Sequence, residues 1–308
     1  MKNKLTLTGA NVLYFIVAIA LLGYQFIASF IFGEAFAKNL YTVVIINQVL
    51  IGSFPVLYCV INRIDIREAF RIRKLEPAPA LVIVLTAVPL YLGALMFNTI
   101  VMYVLQTVAE VPGQNLPALE TPLDLTVGIL VIAVMPGICE ELLHRGLLLT
   151  AYEKRGSYRA VVLVAVMFGL FHFDITNLAG PVLLGLVFGY YVVRTGSIFA
   201  GILAHFLNNL IAELIQYLWA DQPASETLML TGQDVLAMGI PSIAVAVALL
   251  YLFRRITEGR TEIIPPIAGP GEDLRAIVSH WPVAAIVSIY TVFIMLSLFM
   301  MMAVKFIT

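Results

Sequence analysis

The run GILVIAVMPGICEELLHRGLLL, residues 128–149, holds Glu140, Glu141, His144 and Arg145 inside an otherwise apolar stretch. Two further polar islands interrupt apolar segments: FGLFHF, with Phe168 and His172, and HFLNN, with His205, Asn208 and Asn209. A carboxylate can serve as a general base and an imidazole as a proton shuttle, and amide or imidazole N–H groups can hold a developing oxyanion. Helical spacing sorts these groups. Glu141 and Arg145 are i,i+4 with the acid first, the favourable order for a pair, and pairing makes burial of both tolerable. Glu140 points about 100° away around the helix and stays free of that pair. His205 and Asn209 are also i,i+4, so their side chains converge. His144, i,i+4 from Glu140, reads as structural, and Phe168 reads as packing beside His172.

The elements that must position these residues follow from composition. The chain has 308 residues, 61% hydrophobic and 12% charged, with mean hydropathy +0.98. Soluble domains carry about 25% charged residues. The chain is therefore expected to be an all-α polytopic membrane protein. It would form a bundle of about eight or nine transmembrane helices, with ionisable residues facing its interior. The net charge of -1 says little, because charge in such proteins counts by side of the membrane. Scattered basic residues offer no nucleic-acid surface. Cys59 and Cys139 lie in apolar segments as packing residues, with no CxxC pattern, and Cys139 leaves its helix in a different direction from the glutamates. The first apolar run, residues 10–32, exceeds the roughly 7–15 residues of a signal peptide's apolar region and counts as a membrane helix.

The expected spans are 9–32, 40–61, 80–107, 124–150, 159–174, 177–193, 197–219, 233–253 and 281–305. The short fifth and sixth spans form a hairpin that need not cross fully. The whole chain, 1–308, is read as one membrane domain, with a motif-bearing core at 124–219 and additional C-terminal helices at 220–308. Basic residues crowd the even connections (Arg63, Arg67, Arg71, Arg73, Lys74; Lys154, Arg155, Arg159; Arg194; Arg254, Arg255, Arg260, Arg275). The odd connections carry mainly acids: Glu34 beside Lys38, then Glu110, Glu120, Asp124 and Asp174, then Asp221, Glu226 and Asp234. That alternation puts the N-terminus in the cytoplasm. Glu140, His172 and His205 then share a depth of about 12–20 Å from the inner end.

In order along the chain, Glu140–Glu141–Arg145 fits E-E-x-x-x-R, Phe168–His172 fits F-x-x-x-H, and His205–Asn209 fits H-x-x-x-N. These resemble the three motifs of the CAAX protease and bacteriocin-processing (ABI, CPBP) family, which includes the Rce1-like prenyl endopeptidases. The resemblance covers residues 124–219, and the last span lies beyond the eight-helix core expected of that family. It implies a glutamate-dependent intramembrane endopeptidase acting on a membrane-anchored, possibly lipidated, CAAX-like peptide or protein. Glu140 and His172 would activate water, His205 and Asn209 would stabilise the oxyanion, and Glu141, Arg145, Phe168 and Asn208 would support them.

Other readings stay open at this point. No cofactor is expected to be obligatory, but Glu140, His172 and His205 are also a donor set that zinc accepts. A transporter, a scaffold, or an acyl- or lipid-transfer enzyme could use the same buried groups. The absence of paired halves and the common depth of the polar residues count against transport. The expected partners are membrane lipid and a membrane-anchored substrate. Short termini and compact loops point to a prokaryotic cell membrane.

Overall fold

A computed structural model describes residues 4–33, 39–111, 119–219 and 232–307. Among these the chain is helical, without a β-strand. The apolar helices are α1 (Leu7–Phe32), α2 (Leu40–Ile61), α3 (Pro77–Val108), α4 (Pro122–Arg155), α5 (Ser157–Leu170), α6 (Ala179–Thr195), α7 (Ile198–Trp219), α8 (Gly232–Ile256) and α9 (Trp281–Lys305). Seven of them are long and apolar enough to cross a membrane; α5 and α6, with 14 and 17 residues, are shorter. At 1.5 Å per residue α5 extends about 21 Å, less than a hydrocarbon core of roughly 30 Å. The protein is a polytopic helical bundle whose outer surface is apolar, with Phe26, Phe30, Leu57, Val104, Leu218 and Phe299 all exposed.

Local sequence explains the helix that matters most. Thr121 and Asp124 close a capping box before Pro122, satisfying first-turn N–H groups at the start of α4. Inside α4, two wide π-helical turns, Ile129–Val134 and Leu142–Leu148, flank the α-helical segment Met135–Glu141. Pro136 lies between them and brings no N–H, so the regular hydrogen-bond ladder cannot continue through it. Such wide turns rotate the side chains that follow them and are frequent at functional sites.

The fifth helix ends sooner than its expected 159–174. It stops at Leu170, because Phe173 takes a left-handed backbone with φ 50° and Asp174 closes a tight turn. Asp174 Oδ1 accepts from the Thr176 N–H and hydroxyl, each at 2.8 Å. His172 therefore sits just beyond the helix, not within it.

Helix α7 runs through the bundle against α3, α4 and α6, while α8 lies along α3 and α9 along α1. Gly137 permits a close approach of α4 to α7: a Cβ there would stand 3.2 Å from the Phe206 backbone nitrogen. At one end of the bundle the arginines of the even connections form a polar collar. Arg71 donates to Thr150 at 2.8 Å and to Glu153 at 2.5 Å. Arg194 donates to Thr257 at 3.0 Å and to the Arg254 carbonyl at 2.6 Å. Arg155 and Arg159 both grip Asp273 on the short helix Pro270–Val278. Of the residues read as lining the odd connections, Glu34, Lys38, Asp221 and Glu226 lie outside the described residues.

Burial alone would raise the Asp273 carboxyl, but hydrogen bonds from Arg159 and Arg155 outweigh it and hold the group below the usual carboxylate range. A depressed folded value contributes stability above the unfolded pKa, and that contribution disappears as pH falls through the folded one. Asp273→Asn is thus expected to lower the unfolding temperature in detergent at neutral pH. The difference from wild type should shrink as pH falls below the ordinary carboxylate range. Thermal unfolding across that range measures it.

Candidate active site

A cavity of about 510 Å³ opens among α2, α3, α4, α6 and α7. Glu140, His172, His205, Asn208 and Asn209 all border it, as does Phe168; Glu141 and Arg145 stand behind the wall. From the Arg155 end of α4, Glu140 is about 22 Å deep, and His205 is about 10 Å from the start of α7.

The adjacent acids are divided by their partners. Glu141 is fully buried, and its Oε1 accepts from Arg145 Nη1 at 2.5 Å and lies 3.0 Å from His205 Nδ1. Arg145, also fully buried, lays its guanidinium 4.3 Å from the Phe168 ring centroid and 5.4 Å from that of Phe188. That stacking offsets part of the cost of desolvating the cation. Gly201 leaves the space that Glu141 Oε2 occupies, since any Cβ there would collide with it. Glu140 faces the cavity, and its carboxylate accepts from Gln48 Nε2 on α2 at 2.8 Å.

Acceptor-only partners set the histidine tautomers. A carbonyl or carboxylate oxygen cannot donate, so a ring nitrogen within hydrogen-bond distance of it must carry the hydrogen. His172 Nδ1 is 2.9 Å from the Phe168 carbonyl, one of the carbonyls left over at the end of α5. Its Nε2 is therefore an acceptor when the ring is neutral. His144 Nδ1 likewise bonds the Glu140 carbonyl at 2.9 Å, and its ring is buried edge-on to Phe168 and Phe171. His205 directs Nδ1–H at Glu141, leaving Nε2 as its polar atom for the cavity.

Asn209 is placed by the distortion of α4. Its Nδ2 donates at 2.9 Å to the carbonyl of Ile132, four residues before Pro136, which an N–H at position 136 would otherwise have reached. One amide hydrogen of Asn209 remains, and its Oδ1 accepts from Asn208 at 3.1 Å. His205 and Asn209 thus share the cavity, though each is anchored to a different part of α4.

The zinc set read from the sequence, Glu140 with His172 and His205, is not assembled. Among the described residues no three His, Cys, Asp or Glu side chains come together as a metal site. His172 and His205 are each held through Nδ1, by the Phe168 carbonyl and by Glu141, and Glu140 is held by Gln48. Gln48 itself escaped the sequence reading. It is an amide at membrane depth in INQVL, and the rule that marked the other polar islands applies equally to it.

A helical membrane bundle with a buried carboxylate–imidazole–amide cavity defines the class. Residues 122–211 match the profile of the family described as Rce1-like, Type II CAAX prenyl endopeptidase Rce1-like. That bears out the resemblance read from the three motifs. A Bacillus subtilis (strain 168) protein named "Putative membrane peptidase YdiL" is 30% identical over 89 residues, 29% of this chain. The match spans 36% of that relative's length. No solved structure matches the chain.

Removing one member of the buried pair leaves the other charge uncompensated, at a cost of about 3–5 kcal/mol. Arg145→Met is expected to lose that much stability in thermal or denaturant unfolding in micelles. Glu141→Gln combined with Arg145→Met should lose clearly less, because neither charge then remains buried alone.

Proposed function

We propose that the protein is a glutamate-dependent intramembrane endopeptidase that hydrolyses a peptide bond in a membrane-anchored peptide or protein. The observation that carries this reading is the division of the two acids: Glu141 is neutralised by Arg145 behind the cavity, while Glu140 lines it beside His172.

In this mechanism Glu140 takes one proton from a water whose other hydrogen is accepted by His172 Nε2, and the water oxygen attacks the peptide carbonyl. The oxyanion receives the remaining amide hydrogen of Asn209 and a hydrogen from His205 Nε2. For His205 to donate from Nε2 the ring carries both protons, with the Nδ1–H held by Glu141. Collapse of the tetrahedral intermediate breaks the C–N bond, and the proton on Glu140 passes to the leaving nitrogen. Phe168 and Asn208 shape and brace the pocket.

The family description supports a membrane-anchored substrate of CAAX-like character, lipidated or not, presented from the membrane. The N-terminus is assigned to the cytoplasm and the protein to a prokaryotic cell membrane, with lipid as its other partner. The arginine collar at one end of the bundle supports that orientation.

The test is cleavage of a farnesylated CAAX peptide by the purified protein in proteoliposomes. Glu140→Gln keeps the side-chain shape and removes the base, so turnover should disappear while the unfolding temperature stays put. Asn209→Ala should retain activity reduced by about 10²–10³, the usual effect of losing one oxyanion donor. Full cleavage by Glu140→Gln, or uptake of the intact peptide without cleavage, would overturn the reading.

A further inference from the structure

Glu140 and His172 border a second cavity as well, of about 310 Å³. It lies among α1, α2, the turn after α5, and α9, which supplies Phe293. The one other residue common to both cavities is Gln48. Its side chain is 5% exposed, and its Nε2 is committed to Glu140. Its Oε1 is buried and has no hydrogen-bond partner among the described residues. An orphaned buried carbonyl oxygen is costly, and the two cavities that Gln48 borders are the spaces from which a donor can approach it.

Hydrogen counting identifies that donor. In the hydrolytic mechanism the attacking water gives one hydrogen to Glu140 and the other to His172 Nε2, so it has none left for Gln48. Lipid tails bring no donor. A peptide lying across the junction of the two cavities brings backbone N–H groups, and the one nearest Glu140 belongs to the bond being cut.

We propose that Gln48 is a catalytic residue whose Oε1 accepts the N–H of the scissile amide while its Nε2 holds the Glu140 carboxylate. The inference rests on the hydrolytic reading and adds a substrate contact to it. As the carbonyl carbon becomes tetrahedral, the nitrogen develops a lone pair. With its N–H held by Gln48 on one side, that lone pair is free to face the protonated Glu140, which then donates the proton as the C–N bond breaks. The peptide on one side of the scissile bond occupies the larger cavity, and the released fragment occupies the smaller.

The experiment compares a farnesylated CAAX peptide with its depsipeptide, in which an ester oxygen replaces the scissile N–H. Both are offered to wild type, Gln48→Met and Gln48→Glu. Methionine fills the space of glutamine but neither donates to Glu140 nor accepts an amide hydrogen well. Gln48→Met should lower kcat/KM on both substrates through Glu140. On the amide it should lose at least about tenfold more, the effect of one hydrogen bond to a buried acceptor, so the amide-to-ester ratio collapses. Gln48→Glu retains the acceptor and spoils the contact to Glu140, so both rates fall with the ratio near wild type. Equal loss on amide and ester in Gln48→Met, or no loss on either, would overturn the assignment of Gln48 while leaving the hydrolytic reading intact. Failure of wild type to cut either substrate would remove both. Unfolding temperatures close to wild type in both variants establish that the differences arise in the reaction; if Gln48→Met does not fold, Gln48→Leu, which also lacks an acceptor, is read on the same ratio with the same expected and overturning outcomes.

Discussion

A carboxylate with no route to water has to be neutralised where it stands, and in this bundle the Glu141 carboxylate is neutralised by Arg145 one helical turn away. The geometry of the cavity depends on that contact. Taking two charges out of water costs several kcal/mol per ion, so the pair persists only with good geometry and further bonding. The further bonding comes from two places: the Phe168 ring beneath the guanidinium and the His205 Nδ1–H on the same carboxylate oxygen. In this way the ion pair aligns α4 with α5 and α7 and fixes the orientation of an imidazole that borders the cavity. Because Glu141 is spoken for, Glu140 is left to face the cavity.

The remaining side chains are held by backbone carbonyls that helix irregularities set free. Pro136 withdraws the N–H that would reach Ile132, and Asn209 takes the carbonyl. The early end of α5 leaves the Phe168 carbonyl without a helical donor, and His172 folds back onto it. Among apolar helices, an unpaired carbonyl is costly enough to act as a reliable anchor for a side chain. The same irregularities that weaken these helices locally therefore determine which nitrogen of His172, and which hydrogen of the Asn209 amide, faces the cavity.

Much of this was legible in the sequence. Long apolar runs and breakers placed every membrane helix within a few residues, because a bilayer imposes length and a satisfied backbone on each span. The i,i+4 arithmetic for Glu141 and Arg145 held because the pair spans one turn, even though that turn is partly π-helical. Pro136 is a helix breaker legible in the sequence, but the π-helical turns on either side of it and the other departures from uniform helix could not be read. The end of α5 depends on the left-handed Phe173, a residue type that does not advertise such a backbone. The convergence of His205 and Asn209 was anticipated, but their anchors on Glu141 and Ile132 come from the packing of α7 on α4. Gln48 was missed for a different reason: it belongs to no recognisable motif, and its partner lies 92 positions away in the chain.

In the proposed mechanism solvent, and not a protein side chain, supplies the oxygen that enters the cleaved carbonyl, with Glu140 handling only protons. A single turnover in water enriched in heavy oxygen tests this most directly, by mass analysis of both product and enzyme. Water attack places one solvent oxygen in every new carboxyl group from the first turnover and leaves no label in Glu140. An unlabelled first-turnover product, with heavy oxygen appearing instead in the Glu140 carboxyl, would mean that Glu140 attacks the carbonyl itself and would contradict it.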